Sequence, residues 1–217
     1  MNYPKISKAI IRRLPKYRRY LGQLKRQGVE KISSNELSEL IGCTASQIRQ
    51  DFNTFGEFGQ QGYGYSVNYL YDEINKILGL DKEYNTVIVG VGNLGQALTN
   101  YTYYYKIGFN IIGLFDVNPK IIGNKINDVV VSDYSDLEAY VEKEAIDIGI
   151  ITVNRENAQA VADTLVKGGV KGIWNFAPID LKVPKHVALN SVHLSDSLHE
   201  LTYMISTMEH AGREDRD

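Results

Sequence analysis

Apolar residues divide the chain into two stretches with different periods. Near the N-terminus they recur every three or four positions, at Ile10, Leu14, Tyr17, Leu21 and Leu24, which is typical of one face of an amphipathic helix. From about residue 86, apolar runs of strand length alternate with helical patterns, which is typical of an α/β sheet. We therefore predict two domains of different architecture within one chain.

Pro15 lies inside the first helical pattern. Because proline has no amide proton to donate, we expect it either to lie in the first turn of the main helix or to kink that helix. Gly28 follows the last apolar position and is expected to end the helix.

Two short helices are predicted next, because a capping-box spacing opens each of them. Ser33 is followed by Glu36 and Thr44 by Gln47, with Gly42 as a stop between the two helices. Two short helices joined by a tight turn indicate a helix-turn-helix. The second helix is expected to present groups that can bind base edges or phosphates, namely Ser46, Gln47, Arg49, Gln50 and Asn53.

Glycines alternate with aromatic residues over 55–65, which predicts a tight hairpin after the second short helix. A further helical pattern ends at Gly79, and the polar stretch 81–85 follows it. Three helices and a hairpin describe a winged-helix DNA-binding domain, which we place at residues 1–80. In the hairpin, Gln60, Gln61 and Tyr63 are candidate DNA contacts.

A glycine-rich turn opens the second domain. The apolar run 86–89 leads into Gly90, Gly92 and Gly95 at GxGxxG spacing, and the next strand ends in Asp116, 21 residues beyond Gly95. This combination is the dinucleotide-binding fingerprint of a doubly wound parallel sheet, a Rossmann domain. It predicts a site for the cofactor at Gly90, Val91, Gly92, Asn93, Leu94, Gly95, Gln96 and Asp116.

Asp116 also bears on the choice of cofactor. A carboxylate accepts hydrogen bonds from a ribose 2′-hydroxyl and repels a 2′-phosphate, and no arginine follows at 117–119. This favours NADH and NAD⁺ over their phosphorylated forms. Lys120 is close enough in sequence to leave NADP(H) open.

Further strands are predicted at 146–153, 172–176 and near 187–189, with a helix over 155–167. We place the Rossmann domain at 81–192. The last segment, 193–217, holds an apolar-rich helix at about 196–209, which suggests docking on a second subunit. An open α/β sheet binds ligands at the carboxyl ends of its strands, which adds Thr152, Val153, Asn154, Asn175, Phe176 and Ala177 to the predicted cofactor site.

Charge also separates the two domains. Residues 1–60 carry eleven basic and five acidic side chains, a net charge of +6, whereas the remainder carries thirteen and twenty-one, a net charge of −8. The overall net charge of −2 conceals this difference. A basic N-terminal domain indicates a nucleic-acid partner or another anionic surface.

Composition narrows the function further. Cys43 is the sole cysteine and the four histidines lack metal-ligand spacing, so neither an internal disulfide nor a metal site is expected. No apolar run approaches the roughly 18 residues of a membrane span, so we expect a cytoplasmic protein with no membrane partner. No His-Asp, Ser-Tyr-Lys or cysteine-based catalytic set is evident. We therefore expect a nucleotide sensor and not an enzyme.

Five motifs in this order resemble the Rex family of bacterial redox-sensing transcriptional repressors, and the resemblance spans nearly the whole chain. The motifs are RRLPKY at 12–17, QIRQDF at 47–52, FGEFG at 55–59, VGNLG at 91–95 and WNFAP at 174–178.

The resemblance implies a homodimer that binds palindromic operators when NADH is low and releases them when NADH binds, with the C-terminal helix exchanged between subunits. It also implies DNA contacts from Arg12, Arg13 and Lys16, and cofactor contacts from Tyr101 and Leu194. Arg19 and Tyr101 match two members of a network that couples the domains. His193 stands where the family usually has the third member, an aspartate, so either His193 or Asp196 completes the network.

Two other functions remain open from the sequence. One is a small NAD-dependent oxidoreductase with a helical cap, which the fingerprint alone would allow. The other is a regulator that senses a different nucleotide, such as NADP(H) or coenzyme A, because this fold accepts many ligands.

Overall fold

The computed structural model describes residues 6–55, 59–60 and 64–214, and the chain forms two compact units. Unit 1 comprises Met1–Lys82 and unit 2 comprises Glu83–Asp217. This division lies two residues after the boundary that we drew between residues 80 and 81, and it groups the segment 193–217 with unit 2.

Unit 1 contains four helices and three short strands among its described residues. The strands form one antiparallel sheet in the order β1-β3-β2, so the hairpin of the predicted winged helix is present. Gln61 and Tyr63 lie outside the described residues. In chain order the elements are α1 (Lys8–Arg26), β1 (Lys31–Ile32), α2 (Ser34–Ile41), α3 (Ala45–Asn53), β2 (Gly59–Gln60), β3 (Gly64–Ser66) and α4 (Val67–Ile77).

Helix α1 follows the apolar pattern closely. Leu14, Tyr17 and Leu21 are fully buried and pack in one core with residues of α2, α3 and α4. The helix begins at Lys8 after the Ser7 N-cap, so Pro15 lies in its interior and the first-turn alternative is wrong.

Helices α2 and α3 are both capped, but in different ways. Ser33 and Glu36 exchange both bonds of a capping box, and Gly42, with φ of 70°, ends α2 in the left-handed region. Thr44 accepts a hydrogen bond from the Gln47 amide, whereas the Gln47 side chain donates to Asp51. The second predicted capping box is therefore only half formed.

Unit 2 is a seven-stranded sheet in the order β10-β9-β8-β4-β5-β7-β6, with every pair parallel except β6 with β7. The predicted Rossmann architecture is confirmed. The elements are β4 (Tyr84–Val89), α5 (Asn93–Thr99), α6 (Tyr103–Lys106), β5 (Phe109–Asp116), β6 (Lys125–Ile126), β7 (Val129–Asp133), a 3-10 turn (Tyr134–Asp136), α7 (Leu137–Lys143), β8 (Ile148–Ile151), α8 (Arg155–Gly168), β9 (Gly172–Asn175), β10 (Ala188–Ser191) and α9 (Leu194–Glu214).

Alternate residues of the central strand pack on opposite faces of this sheet. Val87 and Val89 of β4 join a core with Val141 of α7 and Leu165 of α8, whereas Ile88 joins the core on the other face. The connection from β7 to β8 carries the chain from one side of β4 to the other, and such a switch point is where these sheets bind ligands.

The segment between Asp116 and Ile146 contains elements that the sequence did not predict. Strands β6 and β7 and helix α7 are two, five and seven residues long. Elements this short span too few residues for a reliable period. Strand β7 is held by pairing with β5, from Leu114↔Val131 to Asp116↔Asp133, which is a tertiary contact.

Helix α9 is longer than the predicted 196–209, and its apolar side chains are exposed. Among the described residues, no helix has both the length and the apolar character needed to cross a membrane. The exposed apolar residues of α9 are Leu194, Leu198, Leu201, Tyr203, Met204, Ile205 and Met208, each with 47 to 75% of its surface accessible.

Candidate functional site

The glycine turn between β4 and α5 leaves one glycine open and closes around the other two. A Cβ at Gly90, where φ is 95°, would lie 2.8 Å from the Thr152 backbone, and one at Gly95 would overlap the carbonyl oxygen of Gly90. Among the residues that the structure describes, a Cβ at Gly92 would meet nothing within 4 Å. Gly92 is also the N-cap of α5 and has no side-chain cap hydrogen bond. The turn therefore offers an open backbone surface at Gly92, where the fingerprint places a pyrophosphate.

Side chains predicted to bind the cofactor hold this turn in shape. Asp116 Oδ2 accepts a hydrogen bond from the Val91 amide at 2.6 Å, and its Oδ1 accepts one from the Asn118 amide at 2.8 Å. The Thr152 hydroxyl donates to the Gly90 carbonyl at 2.6 Å. Each Asp116 oxygen retains acceptor capacity for a ligand, because an ionised carboxylate has about four acceptor positions.

A cavity of about 310 Å³ lies beside the turn, at the carboxyl ends of β4, β5 and β8. Of the predicted residues, Gly90, Asp116 and Val153 line it. Tyr134 could not be assigned to the site because strand β7 before it was not predicted. The other lining residues absent from the predicted set are Val89, Val117, Asn157, Ala160 and Val161, and three of these come from the first two turns of α8.

Asn175 does not present its side chain to this cavity. It is fully buried, and its amide nitrogen donates to the carbonyls of Ala177 and Ile179 and lies 3.2 Å from the Ser191 hydroxyl. Its Oδ1 accepts from the Ala177 amide at 2.9 Å. The residue thus shapes the loop after β9 from within the protein.

An aromatic cluster connects two other predicted cofactor residues, Tyr101 and Phe176. The ring of Tyr101 lies 4.9 Å from that of Tyr104, which lies 6.0 Å from Trp174, and Trp174 lies 4.6 Å from Phe176. Burial raises the pKa of Tyr104, and the neighbouring Tyr101 adds to this effect. Tyr104 and Trp174 are the links that the sequence analysis did not assign to the site.

The remaining predicted cofactor residues occupy the rim of the turn or lie away from it. Gln96 donates to the Val91 carbonyl at 3.0 Å, and Asn154 caps α8 by accepting from the Asn157 amide. Asn93 is exposed, Leu94 is half-buried, and Leu194 is 59% exposed at the start of α9. Of the coupling residues in unit 2, His193 Nε2 lies 3.9 Å from Asp180 Oδ1, and Asp196 is exposed.

In unit 1, helix α3 presents a polar face. Ser46, Arg49, Gln50 and Asn53 are exposed, as predicted, and Arg49 donates to the Ser34 hydroxyl at 2.8 Å. The side chain of Gln60 in β2 is outside what the structure describes. On α1, Arg12, Lys16 and Arg19 are exposed.

Two of the residues predicted to contact DNA, Arg13 and Gln47, form hydrogen bonds with Asp51. Asp51 Oδ2 accepts from Arg13 Nε at 2.7 Å and from the Tyr17 hydroxyl at 2.6 Å. Its Oδ1 accepts from Arg13 Nη2 at 2.7 Å and from Gln47 Nε2 at 3.1 Å. The prediction that Gln47 faces outward is therefore wrong, and Asp51, which was missed, is the fully buried centre of the cluster.

The ionisation of this cluster follows from its contacts. Burial raises the pKa of the Asp51 carboxyl, but the hydrogen bonds from Arg13, Tyr17 and Gln47 outweigh burial and keep that pKa below its usual value. Burial and the Asp51 carboxylate both raise the pKa of Tyr17, so its hydroxyl remains a donor. The cluster is an ion pair reinforced by two neutral donors.

Comparisons with known families match the two units separately. The family model described as "CoA binding domain" matches residues 81–179. The one described as "Putative DNA-binding protein N-terminus" matches residues 5–53.

Curated relatives match the chain almost end to end. It is 60% identical over 201 residues to the redox-sensing transcriptional repressor Rex of Clostridium novyi (strain NT), covering 93% of this chain and 96% of the relative. It is 58% identical to the Rex protein of Thermoanaerobacter pseudethanolicus (strain ATCC 33223 / 39E), covering 94% of this chain and 92% of the relative.

Solved structures agree with these relatives. The structure of RSP in complex with β-NAD⁺ and operator DNA is 55% identical, with a TM-score of 0.90 over 99% of both chains. The structure of RSP with β-NADH has the same TM-score at 53% identity, over 97% of this chain and 98% of RSP. With this identity and coverage, the chain belongs to the Rex family of redox-sensing transcriptional repressors.

Proposed function

We propose that unit 1 of this Rex-family repressor binds a palindromic operator and that NADH, bound in unit 2, releases it. The observation that carries the proposal is the pairing of an open glycine turn in one unit with an exposed polar recognition helix in the other. RSP, which this chain resembles throughout, has been solved with β-NAD⁺ and operator DNA and with β-NADH.

Helix α3 of unit 1 is the element that would enter the major groove. The second helix of a helix-turn-helix reads base edges, and Gln50 and Asn53 can bond adenine there. Lys16 and Arg12, exposed on α1, would contact phosphates. The wing would add contacts from Gln60, Gln61 and Tyr63.

In unit 2 the dinucleotide would lie across the glycine turn. Its pyrophosphate would face Gly92, and Asp116 would accept hydrogen bonds from the adenosine ribose. Tyr134 and Val153 line the adjacent cavity, which suits a flat apolar ring such as adenine. The nicotinamide would reach toward the cluster that contains Tyr101 and Phe176.

Release of DNA by NADH requires two arrangements of the protein. NADH must bind the DNA-incompetent arrangement more tightly than the competent one, and its effect cannot exceed this difference in affinity. We propose that NADH binding in unit 2 is coupled to DNA binding in unit 1 by Arg19 and Tyr101, together with His193 or Asp196. Asp196→Asn and His193→Gln distinguish the two candidates: the substitution at the coupling residue should weaken the release of operator DNA by NADH more than the other does.

A homodimer accounts for the exposed apolar side chains of α9. Seven such residues on one helix are costly to leave in water. A two-fold dimer also matches the symmetry of a palindromic operator.

We further propose that the dinucleotide is sensed and not consumed. The relatives that match nearly the whole chain are named as transcriptional repressors. Incubation of NADH with small carbonyl compounds tests this point, since steady oxidation of NADH would contradict it.

In the decisive experiment, the protein is bound to a short fluorescent palindromic operator, and NADH or NAD⁺ is added in separate titrations. Fluorescence anisotropy reports how much DNA stays bound. We expect NADH to release the DNA and NAD⁺ to have little effect. Operator affinity that stays unchanged up to millimolar NADH would overturn the proposal.

The match to a CoA binding domain favours one second candidate, a sensor of coenzyme A. Competition of coenzyme A and NADPH against NADH separates the ligands. Asp116→Ala is expected to weaken NADH binding more than coenzyme A binding, because the carboxylate accepts hydrogen bonds from the ribose hydroxyls of NADH but repels the phosphate on the ribose of coenzyme A.

A further inference from the structure

We propose that Asp51 is a positioning residue for operator recognition: it sets the rotation of α3 against α1, and Arg13 acts through it and not on DNA. The proposal rests on the proposed binding of an operator by unit 1. It assigns a role to a buried carboxylate that faces away from the DNA-binding surface.

The geometry of α3 explains why a rotational lock matters. Each residue turns a helix by about 100°, so Asp51 points into the protein while Gln50 and Asn53 point outward. Apolar contacts of Ile48 and Phe52 also hold α3, but dispersion and hydrophobic contacts are non-directional and tolerate small rotations. Hydrogen bonds to Asp51 have defined directions and therefore select one rotation.

The bonds of Asp51 use all the acceptor capacity of its carboxylate. Each oxygen accepts two hydrogen bonds, and three of the four come from side chains of α1. Rotation of α3 would separate a fully buried carboxylate from its three donors on α1, Arg13 and Tyr17 included, which is strongly unfavourable. Asp51 therefore ties the recognition helix to α1 at Arg13 and Tyr17, one helical turn apart.

Arg13 is placed to serve Asp51 and not a phosphate. Its Nε and Nη2 form one of the two guanidinium edges that can bind a phosphate at two points, and both already donate to the carboxylate. Its side chain is 26% exposed, whereas the neighbouring Arg12 is exposed and belongs to the same basic helix.

Salt dependence distinguishes positioning from contact. Log affinity falls as log salt concentration rises, and each lost phosphate contact makes this negative slope shallower by about 0.9 per protomer. We would measure operator binding of the full-length dimer by anisotropy over a range of KCl concentrations, for wild type, Asp51→Asn, Arg13→Gln and the control Arg12→Gln. For each variant we would also measure the melting temperature, the NADH affinity and the affinity for an unrelated duplex.

We expect Asp51→Asn and Arg13→Gln each to lower operator affinity about tenfold, because partners in one network couple strongly. The slope, the NADH affinity and binding to the unrelated duplex should stay unchanged, and the double variant should lose little more than either single one. Arg12→Gln should make the salt slope shallower and weaken binding to both duplexes.

Several outcomes would overturn the proposal. A shallower salt slope for Arg13→Gln than for the wild type would show that Arg13 contacts a phosphate. Lower melting temperature with wild-type operator affinity, measured below the transition, would leave Asp51 with a purely structural role. If Asp51→Asn does not fold, Tyr17→Phe decides, since it keeps the ion pair and removes one bond, and wild-type operator affinity in that variant counts against positioning.

The wild-type protein separates this proposal from the one on which it rests. Failure of the wild type to bind any palindromic operator would refute the proposed function. Wild-type binding with unaffected Asp51→Asn would refute only the role of Asp51.

Discussion

Asp51 in unit 1 and Asp116 in unit 2 are carboxylates beside functional surfaces, but their donors differ. Asp51 accepts four hydrogen bonds, all from side chains, and is fully buried. Among the described residues, Asp116 accepts two, both from backbone amides, and lines a cavity. The first has no acceptor position left for a ligand, and the second has about two.

This difference shows two ways to build a binding surface. Unit 1 positions a helix through charged side chains from a distant part of the chain, so its surface depends on an ion pair. Unit 2 positions backbone groups through glycines and short local contacts, so its surface depends on the absence of side chains. Each mode predicts a different vulnerability to substitution.

The largest effect is expected for Arg13→Met, which removes the charge that faces Asp51. We expect a loss of about 3 kcal/mol in the free energy of unfolding at neutral pH, the lower end of the range for breaking a buried pair, because Arg13 is partly exposed. Urea unfolding of this variant and of Arg12→Met, which should be nearly neutral, measures the difference.

The same pair predicts a pH dependence of stability. In the wild type the native pKa of Asp51 is lowered, so the pair stabilises the protein above about pH 4 and this contribution is lost as the pH falls through the native pKa. In Arg13→Met the ion pair and two hydrogen bonds are lost, so we expect the native pKa of Asp51 to be higher than in the wild type. The stability difference between the two proteins should therefore be largest at neutral pH and shrink toward pH 4, and a difference that grows on acidification would contradict this cause.

Gly95→Ala is expected to have the next largest effect, because its Cβ would overlap the Gly90 carbonyl oxygen in a rigid turn. Such overpacking costs about 2 kcal/mol. Unfolding without dinucleotide is the measurement. If Gly95→Ala is as stable as the wild type, the close packing of α5 on the turn is not what holds unit 2.

Gly92→Ala tests the open side of the same turn. A Cβ there meets nothing within 4 Å in the described part of the chain, and the φ of −74° at Gly92 is allowed for alanine. We expect unchanged stability but an NADH affinity lower by about tenfold, or about 1.4 kcal/mol, because the methyl group would displace the pyrophosphate. Isothermal titration with NADH measures it, and unchanged affinity would move the pyrophosphate away from Gly92.

The smallest effect is expected for Ser33→Ala, which removes a helix cap that takes part in neither carboxylate network. The capping box of α2 should be worth about 1 kcal/mol of unfolding free energy. Operator affinity measured below the melting transition should stay near the wild-type value. A large loss of operator affinity would extend the positioning role from the Asp51 network to the caps.

The glycine turn, the strand before it and Asp116 were predictable because their signal is local. A tight turn and close backbone approach demand glycine at fixed spacing, and a strand of set length places the acid. The helices of unit 1 were equally predictable from period and caps. Even the reversal at Gly42 follows from its residue type.

The Asp51 network could not be predicted in the same way, since Arg13 and Asp51 lie 38 residues apart. Nothing local to Arg13 or Gln47 distinguishes an arginine or glutamine that faces DNA from one that faces a buried carboxylate. Asn175 shows the same limit, because its position at a strand end suggested a ligand contact, while its burial gives it a structural role.

The amino-acid sequence alone therefore determines the helices of unit 1, the strand and glycine turn that open unit 2, where backbone can approach a dinucleotide, and to which family the chain is similar. These properties depend on spacing, residue type and steric demand within a few residues. Only the tertiary structure decides which polar side chains face the ligand and which face each other, because a polar group pairs with whatever donor or acceptor the packing of distant elements brings within hydrogen-bonding distance.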